Sequence, residues 1–370
     1  MNNIIKPLAF YLPQYHPIPE NNEWWGTGFT EWTNVTKAKP LYKGHKQPKL
    51  PADLGYYDLR VRETRQQQAE MARKYGVHGF IYYHYWFGDG KMLLEKPMLD
   101  IIASKEPDFP FCLCWANQTW TGIWHGAPKT ALIEQKYPGE EDMRQHLQYL
   151  LPVFQDERYI KVNGAPVFVI YDVLDLPEPK NFTDTFRRIA RESGIKDLYL
   201  MASNLASDSW DYKANGFDAK ISNGFNEALG TMLSSQSVFK KVKSKFAEKL
   251  NTAAKPKIVD HKKLSEITKT VKANVDTYPM ILPNWDNTPR SGSRGLVLIN
   301  SSPTLFAHNT RQAIDYLKSS TELPEKFLII KSWNEWAEGN YLEPDREYGH
   351  AYLESFNQAM KNNTNQDLKE

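Results

Sequence analysis

Two glutamates and two tryptophans lie within six consecutive residues near the C-terminal end of the chain. Glu335 and Glu338 are three positions apart, and Trp333 and Trp336 flank the first of them. Proton transfer to and from a glycosidic bond requires a pair of carboxylates, and indole rings provide flat faces for a pyranose. The pattern therefore favours an enzyme of carbohydrate chemistry, with Glu335 and Glu338 as catalytic candidates.

The apolar run at residues 327–330 predicts a strand just before this motif. In a continuing strand, residues three apart point to opposite faces, so Glu335 and Glu338 can act together only if the chain curls directly after Trp336. Gly339 permits such a bend. Two carboxylates in one partly apolar site do not ionise equally. One is expected to hold a proton as the acid, while the other stays charged as the base.

Eight short apolar runs alternate with segments of helical period along the chain. The runs occupy residues 8–11, 79–83, 111–114, 167–170, 198–201, 219–221, 280–282 and 327–330. Helical patterns cover residues 62–74, 91–104, 140–154, 182–193, 305–318 and 348–360. This alternation predicts an α/β protein with a single (β/α)8 barrel, a TIM barrel, over residues 1–370. A doubly wound sheet is the alternative.

A barrel carries its chemistry on the loops at the C-terminal ends of its strands. In this chain those positions hold aromatic rings, which stack on sugars, and Asn, Asp or His side chains, which bond to hydroxyls. The predicted substrate-binding residues are Tyr11, His16, Glu31, Trp32, His84, Trp86, Trp115, Asn117, Asp172, Asn204, Trp285, Asp286, Trp333, Asn334 and Trp336. Asp172 and Asp286 are also candidates for a separate catalytic pair or for structural hydrogen bonding.

Two long insertions interrupt the repeating pattern. Residues 13–57 form an aromatic-rich loop after the first strand, and loops of this length are usually functional. Residues 231–278 form a Lys-rich insertion, in which residues 240–272 carry eleven lysines against three acidic residues. Part of it has the spacing of a basic amphipathic helix. The simpler interpretation is an ordinary helix whose lysine-rich face is solvated. The more specific interpretation is that this face contacts an anionic membrane or a lipid-linked glycan.

Composition sets the broad class of the protein. The net charge of +2 gives no general attraction to nucleic acid. The two cysteines, Cys112 and Cys114, are too close for an ordinary structural disulfide, which favours a reducing compartment. With no secretion signal at the start and no apolar run of membrane-spanning length, a cytoplasmic location is expected. No metal-ligand spacing, dinucleotide motif or P-loop is present, so no metal or cofactor is expected.

The segment 332–344 is similar to the Asn-Glu-Trp-x-Glu-Gly signature of glycoside hydrolase family 99, the endo-α-mannosidases. More closely, the chain from about residue 8 to about residue 352 resembles the WbsX family, the family 99-like proteins of bacterial polysaccharide and O-antigen gene clusters. The stretches that carry this resemblance are residues 10–16, 28–32, 82–87, 115–117 and 285–290. Ala337 stands where the family 99 motif has a histidine.

The resemblance implies a (β/α)8 barrel and retaining chemistry through a 1,2-anhydro sugar. Glu335 would deprotonate the substrate's own 2-hydroxyl. Glu338 would protonate the leaving oxygen and then activate the acceptor. A glycosyltransferase of lipopolysaccharide or polysaccharide biosynthesis is one alternative, favoured by the implied genomic setting and opposed by the missing nucleotide motifs. A glycan-binding protein without turnover is another.

Overall fold

The computed structural model describes residues 4–122, 127–205, 210–234, 255–270 and 276–367. Its centre is a ring of parallel strands, and the predicted (β/α)8 barrel is confirmed. The strands are Ile5–Tyr11, Gly79–Trp86, Phe111–Trp115, Ala165–Ile170, Tyr199–Ala202, Ala219–Ile221, Thr277–Tyr278 with Met280–Ile281, and Lys326–Ile330. The eight predicted apolar runs coincide with these strands.

The seventh strand closes the barrel in two short pieces separated by Pro279, which has no N–H to donate to a neighbouring strand. Before this proline, Tyr278 pairs in parallel with Ile221 of the sixth strand. After it, Ile281 pairs with Ile330 of the eighth strand. The first strand pairs with both the second and the eighth, so the described strands form one closed order. The eight C-terminal strand ends consequently meet at one mouth.

Helices surround the barrel. The longer ones are Arg62–Lys74, Lys96–Ser104, Glu140–Phe154, Pro179–Glu192, Gly224–Ser234, His261–Thr270, Pro303–Ser319 and Ala351–Asp367. The six helices predicted from periodicity are all present, with ends that differ by up to seven residues. The helix predicted from residue 91 begins five residues later, because Met92–Leu93 pairs with the second strand instead. Before Pro303–Ser319, the Ser302 side chain accepts a hydrogen bond from Leu305 N at 3.2 Å and caps the helix.

Apolar side chains fill the space between the barrel and its helices. Phe168 of the fourth strand packs against Phe154 and Phe186 of two neighbouring helices, with ring centroids 5.7 and 5.9 Å apart. All eight residues of the second strand are buried. A strand buried on both faces is usual for a parallel barrel, because one face meets the helices and the other meets the barrel interior.

The loop after the first strand contains two short helices, Pro19–Trp25 and Glu31–Lys37. The second insertion is described in part. Lys257–Asp260 pairs in parallel with Leu296–Ile299, and the helices Gly224–Ser234 and His261–Thr270 pack on this pair around Ala228, Val259, Leu264 and Leu298. The predicted basic helix, residues 239–250, lies outside the described residues. Within the described part of the chain, no helix is long and apolar enough to cross a membrane.

Candidate active site

The segment after the eighth strand curls where the pairing of two glutamates requires it. Asn334–Glu335 pairs antiparallel with Asn340–Tyr341, and a 3-10 turn, Trp336–Glu338, connects them. Gly339 ends this turn at a φ of +57°, where a Cβ atom would lie 2.8 Å from the backbone nitrogen of Asp286. Glycine is therefore needed for both its conformation and its size. The turn brings the side chains of Glu335 and Glu338 to the same side of the loop.

Arg290 binds both of these carboxylates. Its Nη2 donates to Glu335 Oε2 and its Nη1 donates to Glu338 Oε1, each at 2.8 Å. Its Nε donates to Glu31 Oε2 at 3.1 Å, and Nη2 lies 3.1 Å from the same oxygen. One guanidinium thus gathers three carboxylates from distant parts of the chain. The planar fork of an arginine fixes the directions of such bonds, so it also fixes the position of the glutamates.

Arg290 is itself held by the short helix Thr288–Ser291. Asp286 lies just before this helix and accepts hydrogen bonds through Oδ1 from Thr288 N at 3.1 Å and from Thr288 Oγ1 at 2.6 Å. The other oxygen of Asp286 is 2.8 Å from His45 Nε2 and accepts from Gln47 Nε2 at 2.7 Å. The long loop after the first strand therefore holds the helix of Arg290 in place through Asp286.

Glu335 is almost completely buried, with 5% of its surface exposed. Burial raises its pKa to about 7, because a desolvated carboxylate is disfavoured. Arg290 and Lys331 oppose this effect, while the charges of Glu338 and Glu31 add to it. A carboxyl with a pKa near neutrality can both take up and release a proton under physiological conditions, which is what acid–base catalysis requires.

A cavity of about 500 Å³ opens at the barrel mouth over these groups. Its charged lining includes Glu31, Arg290, Lys331, Glu335 and Glu338. Its aromatic lining consists of Tyr83, Tyr85, Tyr171, Trp25, Phe29 and Trp120. The volume and the mixture of aromatic and polar groups suit one or a few sugar rings.

Lys331 lies at the end of the eighth strand between two aromatic rings. Its Nζ is 5.4 Å from the ring centre of Tyr171 and 5.6 Å from that of Trp285. Burial lowers the pKa of Lys331, but Tyr171 and the two glutamates outweigh burial and raise it to about 12. Lys331 therefore stays charged at neutral pH and places a permanent cation beside the carboxylate pair.

A second buried carboxyl, that of Glu343, supports the loop from the opposite side. It accepts hydrogen bonds from Trp336 Nε1 at 2.7 Å, Gln68 Nε2 at 2.6 Å and Tyr57 OH at 2.8 Å. Asn334 fixes the start of the loop by accepting from Leu12 N at 2.7 Å. These bonds connect the loop to the first strand and to the helix Arg62–Lys74, so the turn that carries Glu335 and Glu338 is rigidly held.

Three of the predicted site residues, Glu31, Glu335 and Glu338, line the cavity together. The predicted aromatic and histidine residues of the second and third strands do not. His84 lies 2.8 Å from His146, Trp86 stacks on the same histidine with centroids 4.6 Å apart, and Trp115 packs edge-on to it at 5.0 Å. These side chains point outward to the helix Glu140–Phe154, because successive strand residues alternate between faces.

Other predicted residues form the framework around the cavity. Trp333 and Trp336 are buried behind the loop, the first against Phe80 and the second stacked on Tyr341 at 3.8 Å. They flank Glu335 in sequence, but they do not line the cavity. Among the described contacts, Trp32 donates to Tyr57 O, Tyr11 donates to Gln68, and the His16 ring is buried against Pro13 O.

The remaining predicted residues are also held within the framework. Asn117 Nδ2 donates to Asp172 O and Asn204 Nδ2 donates to Asp172 Oδ2, so these three residues form a hydrogen-bonded group. Asp286 supports the helix of Arg290 through its hydrogen bonds with Thr288, as described above. Trp285 touches the site through its contact with Lys331.

Sequence reasoning did not select Arg290, Lys331, Tyr83 or Tyr85 as site residues. Strand alternation provides a signal for the two tyrosines, since they are the inward neighbours of His84 and Trp86. Lys331 directly follows the eighth strand and could have been found by the same rule. Arg290 ends the stretch 285–290 that carries the family resemblance, but no sequence pattern predicts its contact with Glu335. Among the described residues, no group of three or more His, Cys, Asp or Glu side chains could hold a metal ion.

Comparison with known proteins assigns the chain to a family. The profile of the family described as Glycosyltransferase WbsX matches residues 7–356. The chain belongs to the WbsX family. The resemblance inferred from the motifs is thereby confirmed.

Two curated relatives of this chain come from Xanthomonas campestris. Both are named "Uncharacterized protein WxcX", and each is 35% identical to this chain over 354 residues. The match includes 95% of this chain but 49% of the relative, so the chain spans about half the length of these proteins.

Solved structures with a similar fold include the GH99 endo-α-mannosidase of Bacteroides thetaiotaomicron. It is 14% identical, the match covers 100% of this WbsX chain and 99% of the mannosidase, and the TM-score is 0.60. A structure titled "Glycoside hydrolase-like protein" is also 14% identical, with 97% and 94% coverage and a TM-score of 0.59. At this identity the likeness establishes the fold, which is that of the family 99 barrel.

Proposed function

We propose that this WbsX protein is a retaining glycoside hydrolase or transglycosidase that acts on an α-linked glycan of bacterial O-antigen or capsular polysaccharide metabolism. The observation that carries the proposal is the joint binding of Glu335 and Glu338 by Arg290 inside one cavity. Because each glutamate is bonded to the same guanidinium, a single glycosidic bond in that cavity can be reached by both.

The proposed first step uses the two carboxylates at the same time. Glu335 takes the proton of the substrate's 2-hydroxyl, and the resulting oxygen attacks the anomeric carbon. Glu338 donates a proton to the leaving oxygen as the glycosidic bond breaks. In the second step Glu338 removes a proton from water or an acceptor hydroxyl, which opens the 1,2-anhydro ring. Glu335 then returns its proton to the 2-oxygen. Two inversions at the anomeric carbon give net retention.

The electrostatics of the cavity support the role of Glu335 as the base. A carboxylate with a raised pKa is a stronger base than an ordinary one, and a sugar hydroxyl is a weak acid. Burial gives Glu335 that property. Arg290 and Lys331 keep the ionised form accessible, since both lower the pKa that burial raises. The tyrosines and tryptophans around them supply faces on which the sugar can stack.

The choice of an α-linked substrate rests on the family 99 relationship, because the structurally similar B. thetaiotaomicron protein is titled an endo-α-mannosidase. A second candidate function is transfer of a sugar from a nucleotide donor, which the family description Glycosyltransferase WbsX favours. A third is glycan binding without turnover. The three candidates differ in what they bind and in what they convert.

Calorimetry with nucleotide sugars and with α-linked oligosaccharides separates these functions. A hydrolase or transglycosidase should bind the oligosaccharide and need not bind the nucleotide sugar, whereas a nucleotide-dependent transferase must bind the latter. Proton NMR of the fresh product should then show the α-anomer before mutarotation. Binding of the nucleotide sugar alone would favour the transferase. Oligosaccharide binding without any product would favour the binding protein.

A further inference from the structure

The charged groups that line the cavity are mostly acidic. Four carboxylates and two cations are present, and they are Glu31, Asp175, Glu335, Glu338, Arg290 and Lys331. With one of Glu335 and Glu338 protonated, as the proposed first step requires, the lining keeps one net negative charge, and with both ionised it keeps two. A net negative lining attracts cations and repels anions.

Both cations are already engaged by the protein. Arg290 uses Nε, Nη1 and Nη2 to contact Glu31, Glu338 and Glu335 respectively. Lys331 lies between the rings of Tyr171 and Trp285, and the charges of the two catalytic glutamates raise its pKa. A carboxylate on the substrate would have to compete with these internal partners for either cation.

The polar wall offers an acceptor that suits an uncharged group. Asn34 lines the cavity, is 2% exposed, and donates from Nδ2 to Glu31 Oε1 at 3.3 Å. Its Oδ1 atom is buried and has no hydrogen-bond partner. A sugar hydroxyl can donate to this atom, but an ionised carboxylate or phosphate accepts hydrogen bonds only. The unsatisfied acceptor therefore favours a ligand that places a hydroxyl, and not a carboxylate or phosphate, at this position.

We propose that the sugar unit bound beside Glu335 and Glu338 is one without a carboxylate, phosphate or sulfate group. The inference rests on the proposed function and adds the charge class of the substrate. A hexuronate would add its charge to a lining that is already net negative and in which Arg290 is bonded to three carboxylates. Like-charge juxtaposition of this kind is a general means of rejecting a wrong ligand.

A panel of immobilised α-linked oligosaccharides tests the proposal if each neutral hexose member has a matched hexuronate member. The wild-type protein should bind neutral members at least about tenfold more tightly, and raising the salt concentration should narrow the difference by screening. Equal or tighter binding of hexuronates would overturn this inference alone. Binding to no member would overturn the proposed function together with it.

Two matched charge variants sharpen the test. Asp175→Asn removes an exposed carboxylate of the cavity lining and should raise hexuronate affinity relative to neutral affinity by about two- to fivefold. Asp184→Asn makes the same charge change on the outer helix Pro179–Glu192, where Asp184 pairs with Lys180, and should leave the ratio unchanged. An unchanged ratio in Asp175→Asn, or an equal change in both variants, would contradict charge selection by the cavity.

Discussion

Arg290 Nη2 donates to Glu335 Oε2 at 2.8 Å, across 45 positions of sequence. The same guanidinium holds Glu338 at an equal distance through its other terminal nitrogen. This bond is more than a local ion pair, because it sets the position of one proposed catalytic group relative to the other. The proposed mechanism depends on that relative position, since base and acid must reach adjacent atoms of one sugar.

Replacing Arg290 by lysine should therefore damage catalysis more than folding. Lysine keeps the positive charge but cannot form two fixed, parallel bonds to separate carboxylates. We expect kcat to fall by about a hundredfold or more, the scale of loss that misplaced catalytic groups produce. Arg294→Lys, at an exposed position four residues later, is the matched control and should retain wild-type kcat. A wild-type kcat in Arg290→Lys would show that the guanidinium does not position Glu335 and Glu338.

The rate should depend on the ionisation of Glu335. As the base for the 2-hydroxyl, Glu335 must be charged, and burial sets its pKa at about 7. The ionised fraction increases as the pH rises through this value, so kcat/KM should increase over the same interval. A pH–rate profile from about pH 5 to pH 9 measures this limb. A decrease through pH 7 would assign Glu335 the role of the acid and exchange the roles of the two glutamates.

Two substitutions should move this limb in opposite directions. The charge of Glu31 raises the pKa of Glu335 and that of Lys331 lowers it. Glu31→Gln should therefore shift the rising limb to lower pH, and Lys331→Gln should shift it to higher pH. The rising limb of each variant can be measured from its kcat/KM profile in one buffer series. Shifts of the same sign, or none, would mean that these charges do not act on Glu335.

Glu343 should matter for stability. Its carboxyl accepts three buried hydrogen bonds, and glutamine would turn an N–H group toward one of these donors. We expect Glu343→Gln to lower the free energy of unfolding by about 1 to 3 kcal/mol. Glu347→Gln, which alters a carboxylate that pairs with Lys46 and Lys49 nearer the surface, should cost less than about 1 kcal/mol. Urea unfolding measures both changes in the free energy of unfolding, and the m-value should be the same in both variants as in the wild type.

The decrease in the free energy of unfolding caused by Glu343→Gln should also depend on pH. Burial raises the pKa of Glu343 to about 7 from an ordinary value of 4.5, so the folded state binds this proton more tightly than the unfolded state. The contribution of the protonated group is complete below the ordinary pKa and is lost as the pH rises through about 7. The difference between wild type and variant should thus be larger at pH 5 than at pH 8. The reverse order would contradict a raised pKa.

The fold was predictable because each strand is a distinct apolar run bounded by polar residues. The eight runs correspond to the eight barrel strands, and the six predicted helices were misplaced only at their ends, as at residues 91–95. The helix Gly224–Ser234 and the strand pair of Lys257–Asp260 with Leu296–Ile299 were not predicted. Pro279 within the seventh strand did not disturb the prediction, because Met280 and the following residues still form a short apolar run. Strand order and barrel closure then follow from the usual right-handed βαβ connections.

The site was predictable in part. Glu335 and Glu338 lie at a strand end, where barrel chemistry is expected, and their side chains meet in the cavity. Trp333 and Trp336 are adjacent to them in sequence, yet the curl of the chain turns both indoles into the core. Arg290 lies 45 residues before Glu335, and only the packing of the short helix Thr288–Ser291 against the loop brings the two together. Contacts of this kind are set by tertiary structure and leave no local pattern.

The most direct test of the central claim is turnover and binding in Glu335→Gln and Glu338→Gln, measured side by side. Each change keeps the shape of the side chain and removes its ionisable group, so both variants should lose turnover of the α-linked repeat unit by several orders of magnitude. Calorimetry should show that both still bind it. Wild-type turnover in either variant would contradict the assignment of that glutamate and, with it, the shared acid–base site.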